Sequence, residues 1–181
     1  MRELTARYGE PHRAYHDASH ITDVLGHFDE VWDAVGWDDP RSVFDAVLWH
    51  DAIYDPLAKD NEARSAELAG TFGASARTRD LIVLTARHGT LSPADVDRDA
   101  ALFLDCDTAI LAATPAAFDA YDAAVRREYA AVPDDAYRAG RRTFLTTMRD
   151  RPRIFLSDLF HQRYDAQARE NLARAAQRLA G

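Results

Sequence analysis

VLWHDAIYDP, Val47 to Pro56, ends an apolar run in a titratable His-Asp pair. Val47, Leu48 and Trp49 suit a helix that buries one face in a core. His50 and Asp51 then stand where that helix should still be burying apolar surface. Upstream, Asp39 is placed to cap the helix and Pro40 to occupy its first turn. The reading of this stretch depends on whether the rest of the chain is helical and on which histidines and aspartates can join the pair.

Helical signals dominate the chain. Ile21, Val24, Leu25, Phe28, Val31, Trp32 and Val35 recur at three-and-four spacing, which predicts an amphipathic helix from His20 to Val35. Further helices are predicted from about Asp60 to Phe72, with Asp60 or Asn61 as cap, and from about Ala76 to Arg87. Ser92-Pro93 and Thr114-Pro115 read as two more cap-plus-proline starts, the second opening a helix through Tyr129 that Pro133 stops. Asp134 to Arg149 and Tyr164 to Leu179 complete the set, with a shorter helix between them. No alternating β-branched run is bounded by turn signals. The expected architecture is an all-α, single-domain bundle over residues 1–181, of roughly eight helices.

The totals limit the function classes. The chain has 181 residues, 47% of them hydrophobic, enough for a substantial core. Its net charge of −8 argues against a nucleic-acid polymer as partner, because non-specific binding needs basic surface. A small phosphorylated substrate stays possible, since a local arginine cluster can act inside an acidic protein. Cys106 is the single cysteine, so no internal disulfide can form and a reducing cytoplasm is the expected setting. No apolar signal core follows Met1, and no run approaches the ~18 apolar residues of a membrane helix.

Several polar residues do not fit a plain bundle. His16 and His20 share a face if their helix begins early enough. Asp105 and Asp107 lie two apart in an apolar segment, so only one should face a given site. Histidines and aspartates projecting inward from several helices can hold a metal, with positions left for water and substrate. Each residue also has an ordinary explanation, as a satisfied core histidine, a cap or an ion-pair member.

The order His20, His50-Asp51, Asp107 resembles the HD-domain superfamily of metal-dependent phosphohydrolases. The likeness extends beyond that order: YGEPHRAYHDASHI, LWHDAIYDPLAKDNEARSA, LTARHG and FLDCDTAILAA look like one branch of predicted HD phosphohydrolases. YDAAVRREYAAVP and ENLARAA carry the likeness toward the C-terminus. The resemblance implies an all-helical HD-type fold. It implies one divalent ion (Mn, Fe, Co, Ni, Zn or Mg) held by His20, His50, Asp51 and Asp107. HITDVL favours His20 over His16, and DTAIL favours Asp107 over Asp105. Asp55 or Glu62 is the expected catalytic carboxylate orienting the attacking water; as alternatives, Asp55 is a turn residue and Glu62 a capping one. His16, Lys59, His88, Arg13 and Arg126 are candidate substrate contacts, with Arg142 a further source of guanidinium. A helix-dipole role at a helix end is the other reading of His88.

The implied activity is hydrolysis of a small phosphorylated metabolite, a nucleotide being the favoured class, by metal-activated water. Two alternatives come from other classes. An HD-fold di-iron oxygenase would need more histidines between His50 and Asp107 than the single His88. A non-catalytic metabolite-binding domain would not need the full ligand set. A homodimer is a general expectation for such a chain.

Overall fold

Asp39 caps the helix that carries the His-Asp pair: its carboxylate accepts from the Ser42 N–H, and Pro40 follows at the first helical position. Proline fits there because the N–H it lacks would have no partner in the helix. In the computed structural model, which describes residues 2–179, this is the third of nine α-helices among the described residues. They are α1 (Arg2–Tyr8), α2 (Ala18–Ala34), α3 (Pro40–Trp49), α4 (Asn61–Thr71), α5 (Ala76–Thr85), α6 (Arg98–Thr108), α7 (Pro115–Glu128), α8 (Asp134–Asp150) and α9 (Asp158–Arg178). Single 3-10 turns span His88–Thr90, Pro93–Asp95 and Ala109–Ala112. No strand occurs among the described residues, and no single helix there is long and apolar enough to cross a membrane.

Helix α3 lies at the centre, with α2, α4, α5 and α6 packed against it. Val43, Ala46 and Val47, at i, i+3 and i+4, form its buried row. They share one core with Val24 and Val31 of α2, Leu81 and Ile82 of α5, and Phe103 of α6. Each larger aliphatic side chain so buried contributes about 1.5–3 kcal/mol. Helix α9 packs on α7, α8 and the 109–112 turn, extending the same core through Phe118, Leu145, Phe160 and Leu172. At the end of α2, Gly36 takes φ +69, which spares a side chain the left-handed conformation, and its N–H bonds the Val31 carbonyl.

Buried polar side chains fasten the connections between helices. Asp99 of α6 accepts from the N–H groups of Asp38 and Asp39, tying the start of α3 to α6. Asp105 accepts from Leu156 and Ser157, each at 2.7 Å. Asn171 of α9 donates to the carbonyls of Leu111 and Ala113. Such bonds satisfy backbone groups that burial cuts off from water.

The helix count and several boundaries differ from the sequence expectation. Helix α1 was not anticipated; its last residue, Tyr8, is buried and donates from its hydroxyl to Leu48 O. Ser92-Pro93 opens one 3-10 turn only, because the Asp95 carboxylate reaches back to the Ser92 N–H and hydroxyl and closes it. Helix α6 starts afterwards, with Asp97 accepting from the Ala100 N–H. Helix α5 stops at Thr85 instead of Arg87. The short helix and the Tyr164 start expected near the C-terminus are one helix, α9. Ser157 caps it, and Phe160, wholly buried in its first turn, anchors that end in the core.

Replacing Asp105 by alanine strands one buried and one part-buried donor, and an unsatisfied buried donor costs about 1–3 kcal/mol. Asp105→Ala is expected to lower unfolding stability by roughly 2–4 kcal/mol in urea titration with the helical circular dichroism of the folded state retained; a change below ~1 kcal/mol would refute the scaffold role.

Candidate metal centre

Three helices bring four side chains to one point. His20 lies in the first turn of α2. His50 continues α3 in helical geometry (φ −58, ψ −38), its N–H bonded to Ala46 O, and Asp51 follows. Asp107 lies near the end of α6. The Nε2 atoms of His20 and His50 are 3.1 Å apart. Asp107 Oδ1 is 3.2 Å from His20 Nε2 and 3.3 Å from His50 Nε2. Asp51 Oδ2 is 3.6 and 3.2 Å from the same two atoms. Nitrogen and oxygen ligands ~2.0–2.2 Å from an ion stand roughly 3.0–3.6 Å apart along the edges of its coordination sphere.

The donor chemistry also fits a cation. His50 Nδ1 lies 3.0 Å from Val47 O, the arrangement in which Nδ1–H donates to the carbonyl and leaves the Nε2 lone pair facing the cluster. His20 and His50 are almost fully buried, whereas Asp51 and Asp107 keep a partly open side. Burial opposes a charge on His50, but Asp51 and Asp107 outweigh it and raise its pKa well above the ordinary value. Burial likewise would raise both carboxyls, yet the His50 charge beside them holds Asp51 and Asp107 well below the carboxylate range. A group of acceptors this close needs positive charge at its centre, from a proton or from a metal ion.

The two aspartates of FLDCDT part ways in the structure. Asp107 joins the cluster, while Asp105 points to the 156–157 backbone on another side of α6. Burial raises the Asp105 carboxyl to about 7, against the N–H bonds from Ser157 and Leu156. His16 lies beside His20, with ring centroids 5.9 Å apart, and its Nδ1 is 2.7 Å from Glu128 Oε2. Glu128, the last residue of α7, is a site residue that the sequence reading missed. Its Oε1 takes the successive N–H groups of Ala14, Tyr15 and His16, and its Oε2 takes the Tyr54 hydroxyl as well as the His16 ring. This concave row of N–H groups is an anion nest filled by the protein's own carboxylate. Burial alone would raise Glu128, but His16 and the backbone donors lower it to about 2. Nothing local in REYAAV announces that role, because its partners lie 74 to 114 residues away.

The other sequence candidates are placed as follows. Arg13 is turned inward, its side chain fully buried, and bonds Glu10, His16 O, Asp51 O and Ala52 O. It holds the backbone of the His-Asp segment instead of facing a substrate. Arg126 bonds Tyr129 O, Val132 O and Asp134, closing the end of α7. Asp55 is exposed in a turn, its carboxylate accepting from Leu57 N while Asn61 bonds its backbone. Glu62 lies in the first turn of α4, and Lys59 and Arg142 are exposed. None of Asp55, Lys59 and Glu62 lines either of the two cavities that reach His20 and Asp107. His88 does line one of them. It opens a 3-10 turn after α5 has ended, so the helix-end reading does not apply. Burial lowers its pKa to about 4, with Asp107 opposing and Arg151 assisting, and its Nε2 is 3.4 Å from the Thr108 hydroxyl. That cavity, about 380 Å³, brings together His16, His20, His88 and Asp107. The second, about 510 Å³, reaches His20 and Asp107 from the side of His27 and Glu30.

The chain matches no protein-family model, no curated protein and no solved structure. The geometry of the cluster therefore stands by itself.

Three outcomes are expected. Manganese, cobalt, nickel or zinc should raise the melting temperature of metal-stripped protein, by mass action on the folded state. The double variant His50→Ala, Asp51→Ala should lose both the bound metal and this shift while keeping its helical spectrum; unchanged metal content by elemental analysis would refute the ligand set. Glu128 carries a folded pKa of about 2 against an ordinary 4.5, so its stabilisation is full above pH 4.5 and is lost as pH falls toward 2. Glu128→Gln should therefore flatten the stability profile over that window and remove roughly 2 kcal/mol at neutral pH; an unaltered acid limb would refute the assignment.

Proposed function

We propose that this chain is a metal-dependent phosphohydrolase of the HD-domain type, acting on a small phosphorylated metabolite, with a nucleotide as the favoured class. The observation that carries the reading is the convergence of His20, His50, Asp51 and Asp107, in that chain order, at coordination-sphere spacing, with His20 and Asp107 on the wall of a cavity. These four residues would hold one divalent ion. Bound there, such an ion supplies charge that lowers the pKa of a water and polarises a phosphoryl oxygen.

The chain's own residues have distinct tasks in this reading. Asp51 and Asp107, each partly exposed, would keep negative charge beside the ion. His50, fixed through Val47 O, keeps its Nε2 lone pair aimed at the ion. His16 is held through Nδ1 by Glu128, which leaves Nε2 to carry a proton to the departing oxygen. His88, neutral because burial lowers its pKa to about 4, donates a hydrogen bond to a phosphoryl oxygen. The apolar core behind His20 and His50 limits the water that reaches the reacting centre.

The test is phosphate release from a panel of small phosphoesters and nucleotides with manganese, cobalt, nickel or magnesium. Activity is expected with at least one of these ions. Asp107→Asn should lower kcat/KM at least ~100-fold with loss of metal. His16→Gln should lower kcat by about 100-fold or more with metal content unchanged. Absence of phosphate release with every ion would overturn the hydrolase reading, and oxygen uptake by the iron-loaded protein would favour the oxygenase instead.

A further inference from the structure

A groove of about 430 Å³ lies between α7 and α8. Tyr121, Val125 and Tyr129 of the α7 side and Tyr137, Arg141 and Phe144 of α8 line it. Tyr121 and Phe144, together with His16, also line the cavity that contains His20 and Asp107, so the two spaces adjoin. Tyrosine and phenylalanine rings make up much of the lining, and two polar atoms of lining residues have no hydrogen-bond partner among the described residues. The Arg141 side chain is only 8% exposed; its Nε bonds Asp122 at 2.9 Å, and its Nη2 is buried with no hydrogen-bond partner. The Tyr137 hydroxyl is buried and unpartnered as well. Both residues sit on one face of α8, at i and i+4. Unpaired buried polar groups are unfavourable and uncommon, and their clustering in a cavity wall marks a place where a ligand completes them.

The surroundings indicate what kind of ligand. The Arg141 guanidinium lies 5.0 Å from the Tyr121 ring and 4.9 Å from the Phe144 ring, so ring surfaces support it, and its Nη2 is left without an acceptor. Tyr137 and Arg141 also border a charged cleft on the other side, but the carboxylates there are already paired, Asp119 with Arg174 and Arg178 and Asp134 with Arg126. Arg141 is itself paired with Asp122, which favours an uncharged acceptor over a second anion.

We propose that the α7–α8 groove is the recognition pocket for the non-reacting part of the substrate. It would take a flat aromatic ring carrying an oxygen or nitrogen acceptor, hydrogen-bonded by Arg141 Nη2 and the Tyr137 hydroxyl. The attached phosphate would pass His16 into the cavity of His20 and Asp107. This rests on the reading of that cavity as a phosphate site. Stacking against the tyrosine and phenylalanine rings supplies affinity with little regard to ring identity, and the two donors select rings with a suitably placed acceptor.

Uridine 5′-monophosphate and ribose 5-phosphate are the probes, since they share the phosphorylated ribose and the second carries a hydroxyl where the first carries the base. Calorimetric titration of the full chain, metal-stripped and manganese-loaded, is expected to give at least ~10-fold tighter binding of the nucleotide. Tyr137→Phe removes a hydroxyl that has no partner in the protein, so it should leave the melting temperature unchanged or raise it. It should weaken the nucleotide about 3- to 10-fold and leave ribose 5-phosphate unaffected. Arg141→Met should act in the same direction. Equal affinity for the two probes, equal loss for both in Tyr137→Phe, or binding of neither would overturn the pocket. Tyr137-dependent nucleotide binding without phosphate release with any ion would leave the pocket standing and remove the hydrolase reading. Equal turnover of the two probes would do the reverse.

Discussion

Two imidazole nitrogens lie 3.1 Å apart in the interior, with two carboxylates 3.2–3.6 Å from them, and such acceptors can stay there only around positive charge. That constraint organises the molecule. It requires the start of α2, the end of α3 and the end of α6 to meet at one point. A shift of one residue in any of the three helices would turn its ligand by about 100° away from the others. The apolar packing of α3 against α2, α5 and α6 sets those helices against each other, and the cluster occupies the point where their ends coincide.

Packing alone does not fix the segment before α2, and there polar side chains do the positioning. Arg13 bonds the carbonyls of His16, Asp51 and Ala52, locking the loop before α2 to the backbone that follows His50. Glu128 gathers three consecutive N–H groups from the same loop and orients His16. The pair works from opposite signs: a buried cation collects carbonyls and a buried anion collects N–H groups, so the loop is satisfied on both sides. Asp99 and Asp105 do the same for the starts of α3 and α9. Much of the buried charge in this protein is thus structural, which is why a histidine or arginine near the site is not by that fact a substrate contact.

Much of the fold was legible in the sequence for local reasons. Asp39-Pro40 and Thr114-Pro115 start helices because a cap and a proline act within one turn. The three-and-four spacing of α2 reports its buried face directly. Ser92-Pro93 misled because the Asp95 carboxylate three residues on closes a single turn. Tyr164 looked like a start because α9 carries charge along much of its length, while its true anchor is the burial of Phe160. Asp55 and Glu62 seemed near the site because they follow Asp51 in the chain, yet the turn bonded by Asn61 holds Asp55 in an exposed position.

By itself, the sequence determined the helical class and most helix starts. These follow from side-chain chemistry and from contacts within a turn or two. Only the tertiary structure decided that Asp107 and not Asp105 stands beside His20 and His50, that Arg13 is scaffold, and that Glu128 holds His16. The same holds for Arg141 Nη2 and the Tyr137 hydroxyl, which lack hydrogen-bond partners among the described residues and belong to side chains lining the α7–α8 groove. Each of these depends on where a side chain's potential partners lie across long sequence separations, and periodicity within one helix carries no record of that.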